Sequence, residues 1–254
     1  MSKEARENGS VDQQRSIIVT GGLRGLGLEI SKQLLRDGKT KVVALSRSKG
    51  EHFTDLCSEY GDRIRHVEAD LTQVDQLKPL LDEAFPTETN IQGLVNNAAV
   101  AYDDLATNLC QDELIKLFQV NVFATMELSK WAIRRMLLHR TAGSIVHVSS
   151  ISAHTGYKGL SMYAASKGAI EAYSKNLARE WGRMGIRSNC VVPGFMETDM
   201  SASLSVEQRQ RIYARNSLNH ATSVESTAAT VCFLLSESAA SITGQNMFVD
   251  SGTI

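Results

Sequence analysis

Cysteine is scarce in this 254-residue chain: Cys57, Cys110, Cys190 and Cys232 stand far apart, with no C-x-x-C pair. That spacing offers neither a disulfide framework nor a zinc site, so reduced thiols in a cytoplasmic setting are the expectation. Proline is scarcer still. Pro79, Pro86 and Pro193 fall at local turns or inside a helical pattern, not in a linker that would divide the chain. An excess of one charge is also missing, since 27 Lys and Arg face 28 Asp and Glu. No net field then draws the chain to a nucleic-acid backbone or an anionic membrane. No apolar run approaches the roughly 18 residues of a membrane span. Residues 1–15 lack the apolar stretch of a secretory signal and read as a disordered polar tail. His52, His66, His139, His147, His154 and His220 show no metal-ligand spacing, and no metal is expected.

What is present is 43% hydrophobic residues in a repeating order. Short β-branched runs predict strands over 16–20, 41–46, 65–69, 93–96, 144–149, 187–192 and 246–249. Between them, helical periodicity opens at Leu26 and stops at Asp37-Gly38, then returns near 50–60, 73–85, 110–139, 162–183 and 223–236. Pro79 inside the 73–85 pattern implies a kink or a late start. Strand–helix alternation without a break in composition predicts one α/β domain over 16–254, a doubly wound parallel sheet of about seven strands with helices on both faces.

The first strand runs into Thr20-Gly21-Gly22-Leu23-Arg24-Gly25-Leu26-Gly27 and then into the first helix. Glycines there allow a sharp turn and close approach of a phosphate to the helix N-terminus, whose dipole favours an anion. By itself a glycine triplet marks only a tight turn; its place between strand and helix is what suggests a dinucleotide. The spacing G-x-x-x-G-x-G, preceded by threonine, resembles the short-chain dehydrogenase/reductase family. Where dinucleotide folds carry an acidic residue for the ribose hydroxyl, this chain has Ser46-Arg47-Ser48. With Arg24 from the glycine loop, that segment suits a 2′-phosphate and predicts NADP(H) over NAD(H).

The resemblance extends along residues 15–254 and implies a Rossmann-type fold. Asp70, followed by Leu71, matches the family's adenine-binding aspartate, although a helix cap is the plainer reading. Asn96-Asn97-Ala98-Ala99 resembles the family's N-N-A-G, with Ala99 in place of glycine, and would lie along the cofactor ribose. Pro193-Gly194-Phe195-Met196-Glu197-Thr198 resembles the segment over the nicotinamide, implying cofactor contacts for Pro193, Gly194, Met196 and Thr198. The polar stretch at about 199–220 reads as a substrate lid.

Tyr163 and Lys167 are four residues apart on a helix and so share a face, about 6 Å apart along the axis. The Lys167 ammonium is expected to lower the phenol's pKa toward neutrality. Ser150 precedes Tyr163 by the family's spacing, and its hydroxyl suits a carbonyl oxygen gaining charge. Asn121, a poor residue for a helix interior, matches the family's fourth catalytic position, where it holds a water that passes protons toward Lys167. The implied activity is NADPH-dependent carbonyl reduction with Tyr163 as general acid. The substrate most resembling that of relatives is a 3-oxoacyl thioester; the alternatives are a dehydrogenase of a sugar, polyol or secondary alcohol, and a non-catalytic NADP sensor.

Arg134, Arg135, His139 and Arg140 complement a helix C-terminus. With Arg179 and Arg183 they also offer a dock for an acyl-carrier protein. His154 is placed to line the pocket. Family resemblance further implies a homotetramer with the 110–139 and 162–183 helices at a two-fold interface.

Overall fold

The structure, a computed structural model, describes residues 15–87, 89–198 and 205–254. Seven strands, β1 (Arg15–Thr20), β2 (Thr40–Ser46), β3 (Ile64–Glu68), β4 (Gly93–Asn96), β5 (Gly143–Val148), β6 (Ile186–Pro193) and β7 (Asn246–Val249), form one sheet. All neighbours are parallel, in the order β3-β2-β1-β4-β5-β6-β7. The expected strands are all present, with ends within one residue of those read from the sequence. Arg15 lies in β1, so the polar tail expected over 1–15 is one residue too long at its end; the remainder, 1–14, is outside the described residues.

The helices are α1 (Gly25–Leu35), α2 (Phe53–Tyr60), α3 (Val74–Ala84), α4 (Gln111–Phe118), α5 (Ala124–Leu138), α6 (Ser161–Trp181), α7 (Val206–Tyr213) and α8 (Val224–Leu235). One face of the sheet is covered by α1 and α8, whose Ile30, Leu34, Val231 and Leu234 pack on Val19, Val42 and Val146. On the other face Leu77, Leu81, Leu128, Trp131, Met136 and Leu177 from α3, α5 and α6 close over Ile18, Leu94 and Ile145. Each such fully buried aliphatic side chain stabilises the fold by about 1.5–3 kcal/mol relative to exposure. Continuous apolar strands with cover on both faces are what a parallel sheet requires.

Four features depart from the sequence reading. The helix expected over 110–139 is broken by a π-helical turn, Gln119–Phe123, between α4 and α5. Pro79 sits inside α3, which starts at Val74 and not late. The polar stretch read as a substrate lid contains a helix not expected there, α7, opened by a capping box between Ser205 and Gln208, while 199–204 fall outside the described residues. Arg135 is buried, its guanidinium donating to the Phe85 and Pro86 carbonyls and lying over the Trp131 ring, so it is not a solvated helix end.

The strand order reverses between β1 and β4, and Thr20 locks that crevice. Its hydroxyl donates to Val95 O (3.3 Å) and accepts from the backbone N–H groups of Asn97 and Ala98, each at 2.9 Å. Asn97 Nδ2 returns a hydrogen bond to Thr20 O at 2.9 Å. Gly27 of α1 packs into the same junction: a Cβ there would lie 2.1 Å from Gly21 O and 2.6 Å from Asn97 Nδ2. Gly27→Ala should therefore destabilise the protein by about 1–3 kcal/mol through backbone displacement, read as a lower denaturation midpoint; an unchanged midpoint would show that the junction is loosely packed.

A polar chain crosses the core beneath this end of the sheet. Asn96 Nδ2 donates to Ser129 Oγ (3.1 Å) and meets His147 Nδ1 (3.2 Å), while His147 Nε2 faces Ser188 Oγ (3.3 Å). Burial, helped by the nearby Lys167 charge, pushes the His147 pKa down to about 3. An unfolded imidazole titrates near 6.5, so below that pH the unfolded chain takes up a proton that the folded chain refuses. This contribution to stability is complete above pH ~6.5 and is lost progressively as pH falls toward ~3. Melting temperature should fall less steeply with acidification in His147→Asn than in the parent; identical slopes would remove His147 from the acid response.

Candidate active site

Tyr163, Lys167 and Glu171 lie on successive turns of one face of α6, which packs against β6. The face is held there by the buried side chains Ile170, Ser174 and Leu177. Lys167 is 4% exposed, its Nζ donating to Val148 O at 2.8 Å and lying 5.6 Å from the centroid of the Tyr163 ring. Ser150 follows β5 and opens a single 3₁₀ turn, Ile151–Ala153, its Oγ accepting from Ser152 N at 3.2 Å. The same hydroxyl is near enough to the Tyr163 phenol to favour its ionised form. Three of the four residues expected to act together, Ser150, Tyr163 and Lys167, thus meet at the C-terminal end of β5.

Asn121 is also in this neighbourhood, held by the backbone of the loop after β4 and by the side chain preceding Lys167. It lies in the π-helical turn, 2% exposed, where its Oδ1 accepts from Val100 N (2.9 Å) and its Nδ2 donates to Val100 O (3.0 Å) and Ser166 Oγ (3.1 Å). The extra residue of a π turn, a feature frequent at functional sites, replaces the regular helix that asparagine would disfavour. Asn121 thereby ties the loop after β4 to the residue preceding Lys167.

The electrostatics correct one expectation. Burial pushes the Tyr163 phenol up to about 12; the nearby Ser150 hydroxyl works the other way, and Asp103 adds to the rise. The lowering expected from Lys167 is not seen, because burial of the phenol dominates; the Lys167 Nζ donates to Val148 O. Lys167 itself is brought down to about 8 by burial, against the opposing influence of Cys190 and Glu171. Burial favours the neutral form of both groups, so the phenol keeps its proton and the ammonium tends to release one.

The residues expected to hold the dinucleotide converge on the reversal point of the sheet. Gly21 N donates to Leu45 O (2.7 Å) and Ser31 Oγ to Gly22 O (2.8 Å), which fixes the loop from Thr20 to Gly27 against β2 and α1. Leu23 and Leu26 are buried beneath it; Arg24 and Gly25 face outward, and no atom lies within 4 Å of a Cβ built on Gly25. Arg47 and Ser48 are exposed after β2, with Ser46 Oγ turned onto Ser48 O at 2.8 Å. Asp70 forms an Asx turn with Thr72, accepting from its N–H and hydroxyl at 2.9 Å each, rather than capping α3. The Thr72 backbone hydrogen bond is the main influence holding the Asp70 carboxyl below its usual range, and Arg47 contributes. Leu71, Asn97, Ala98 and Ala99 are half-buried along the same crevice.

At the far side, Pro193 ends β6 and Gly194 turns the chain, its N–H donating to Val249 O at 2.9 Å. A Cβ on Gly194 would stand 2.5 Å from Thr222 Oγ1 and 2.8 Å from Asp250 Cα, so only glycine lets the C-terminal segment close on this turn. Met196 packs on the apolar layer under α1, and Thr198 is half-buried, at the edge of the described segment. His154 does not line a pocket wall alone: it is paired with Glu171, a residue the motifs passed over although its eight-residue spacing from Tyr163 places it on the same face.

Among the described residues no helix is long and apolar enough to cross a membrane. The sequence model of a family described as enoyl-(acyl carrier protein) reductase matches residues 21–253. The 3-oxoacyl-[acyl-carrier-protein] reductase of Chlamydia pneumoniae is 31% identical over 94% of this chain and 96% of its own. A solved short-chain dehydrogenase/reductase family protein superposes with a TM-score of 0.84 at 30% identity, covering 94% of this chain and 97% of that one. A putative NAD(P)-dependent gluconate 5-dehydrogenase from Beutenbergia cavernae, with bound NADP, superposes with a TM-score of 0.88 at 28% identity over 94% and 96% of the two chains. Sheet order, glycine turn and near full-length similarity agree: the chain belongs to the short-chain dehydrogenase/reductase family of oxidoreductases.

Proposed function

We propose that this protein is an NADPH-dependent reductase of a carbonyl compound, with a 3-oxoacyl thioester as substrate and Ser150, Tyr163, Lys167 and Asn121 as its catalytic residues. The observation that carries the reading is the meeting of a buried, protonated phenol at Tyr163 with the Ser150 hydroxyl and the Lys167 ammonium. The residues present fit the coenzyme. A glycine turn open at Gly25 leads into α1, and two exposed guanidiniums, Arg24 and Arg47, stand where no carboxylate would repel a 2′-phosphate.

In this reading residues 20–27 hold the pyrophosphate, Ser46, Arg47 and Ser48 with Arg24 hold the 2′-phosphate, and Asp70 and Leu71 flank the adenine. Asn97, Ala98 and Ala99 support the ribose; Pro193, Gly194, Met196 and Thr198 set the nicotinamide. When bound, the reduced nicotinamide supplies a hydride to the carbonyl carbon. Ser150 donates a hydrogen bond to the carbonyl oxygen as it gains charge, and Tyr163 delivers the proton to that oxygen. A phenol pushed up to about 12 remains protonated at neutral pH, as a general acid in reduction must be. Lys167 stabilises the phenolate left behind, and Asn121 holds the loop after β4 against α6.

The acyl-thioester assignment rests on the similarity to the Chlamydia enzyme; the gluconate dehydrogenase likeness makes a sugar acid the competing substrate. Arg134, Arg140, Arg179 and Arg183 are exposed and remain available to an acidic carrier protein, whereas Arg135 is withdrawn into the core. Exposed Leu109 just before α4, Ile115 on α4 and Phe123 in the π turn support assembly into a homotetramer.

NADPH oxidation assayed with 3-oxoacyl thioesters, sugar acids and small ketones should show turnover with the first class; turnover confined to sugar acids would replace that assignment. Tyr163→Phe should lower kcat by about 10²–10⁴-fold with NADPH affinity retained, measured by fluorescence titration. Because Lys167 gives up its proton at about 8, kcat/KM for reduction should hold near neutrality and decline above that pH. Separately, the double change Ser46→Asp, Arg47→Ala should shift the NADPH:NADH ratio of kcat/KM toward NADH by at least about tenfold. Equal use of both coenzymes before and after would remove the 2′-phosphate from the role of these residues.

A further inference from the structure

Glu171 is a carboxylate that the proposed reaction leaves without work, yet it is only 6% exposed. Isolated ionised groups are not buried without partners. Glu171 has three, two on the connection from β5 to α6 and one on β7. The Ser149 hydroxyl donates to its Oε1, Asn246 Nδ2 of β7 donates to its Oε2 at 2.6 Å, and His154 Nε2 lies 3.0 Å from Oε1 and 2.8 Å from Oε2. The imidazole is steadied from the other side by Phe248, whose ring meets it edge to face at 4.8 Å between centroids.

The partners bracket the proposed catalytic serine. Ser149 precedes Ser150 directly, and His154 closes the 3₁₀ turn that Ser150 opens. Both ends of the segment carrying the Ser150 hydroxyl are thus tied to one carboxylate on the helix that carries Tyr163 and Lys167. We propose that Glu171 is a positioning residue, which uses Ser149 and His154 to hold the Ser150 turn in register with α6 and sets its charge one helical turn from Lys167. This inference rests on the reading of Ser150, Tyr163 and Lys167 as catalytic.

The charge has a second effect. Lys167 is faced by Tyr163 and Glu171 from its own helix, by His147 from β5 and by Cys190 from β6. Burial holds His147 neutral and pushes the Cys190 thiol up to about 12, so near neutral pH Glu171 is the anion that opposes the desolvation of the ammonium. Without it, Lys167 loses its proton at lower pH.

The test compares Glu171→Gln, which keeps shape and removes charge, with His154→Ala, which removes one tether at a partly exposed side chain and leaves the charge. Both should lower kcat by about tenfold while the NADPH dissociation constant, read by fluorescence without turnover, stays within about twofold. Only Glu171→Gln should also move the alkaline limb of kcat/KM to lower pH. Unchanged kcat in both variants, or an alkaline limb that stays in place in Glu171→Gln, overturns the proposal. So does a loss of kcat that comes only with a lower melting temperature and weaker NADPH binding. If Glu171→Gln does not fold, His154→Ala decides by its kcat alone. Parent enzyme whose turnover survives Tyr163→Phe would sink the catalytic reading itself, an outcome distinct from any of these.

Discussion

The reversal of strand order between β1 and β4 is the constraint on which the rest of this molecule depends. Parallel strands cannot be joined by tight turns, so the chain must leave each one and return by a helix. Where the winding direction changes, the two connections part and a crevice opens at the C-terminal ends of the strands. Thr20 occupies that point, and its hydroxyl joins the ends of β1 and β4 through Val95, Asn97 and Ala98. With the crevice held at a defined width, the glycine turn, the segment after β2 and the loop after β4 face one another across it. The glycines of this turn serve packing as much as ligand access, since Gly27 presses against the backbone of Gly21.

The second half of the site depends on the burial of one face of α6. Desolvation acts in opposite senses on its two neighbouring groups, holding the proton on Tyr163 and loosening it from Lys167. The protein answers the second effect with a third group on the same face, Glu171, and anchors that carboxylate to β7, to the end of β5 and to the turn beyond it. A single helical face thus carries an acid, a cation and a counter-charge at intervals of four residues. The nearby His147, equally buried, is kept neutral and is used as a hydrogen-bonding member of the core.

Much of this was legible before the fold was known. Short apolar, β-branched runs mark the seven strands and period-3.6 patterns the longer helices, because a sheet covered on both faces writes itself as continuous apolar runs. The motif residues of the crevice were legible because glycine, proline and a four-residue Tyr–Lys spacing are local signals. The π turn at Asn121 was not, since a run of helical periodicity does not reveal one added residue; only the poor helix propensity of asparagine hinted at it. Nor was α7, whose polar face turns outward and whose signal is confined to the Ser205–Gln208 capping box. Arg135 looked like a solvated cation because charge patterning does not show which carbonyls lie across a groove.

What the sequence by itself determined is the alternation of elements, the glycine turn, the arginines in place of a ribose-binding acid and the order of the candidate site residues. Each is a property of neighbours along the chain, set by sterics, backbone freedom and periodicity. Tertiary structure alone decided the partners of Lys167, the protonation of Tyr163, the neutrality of His147 and the enclosure of Glu171. These depend on burial and on contacts between residues far apart in sequence, and the free energy of a charge is fixed by what surrounds it rather than by what precedes it.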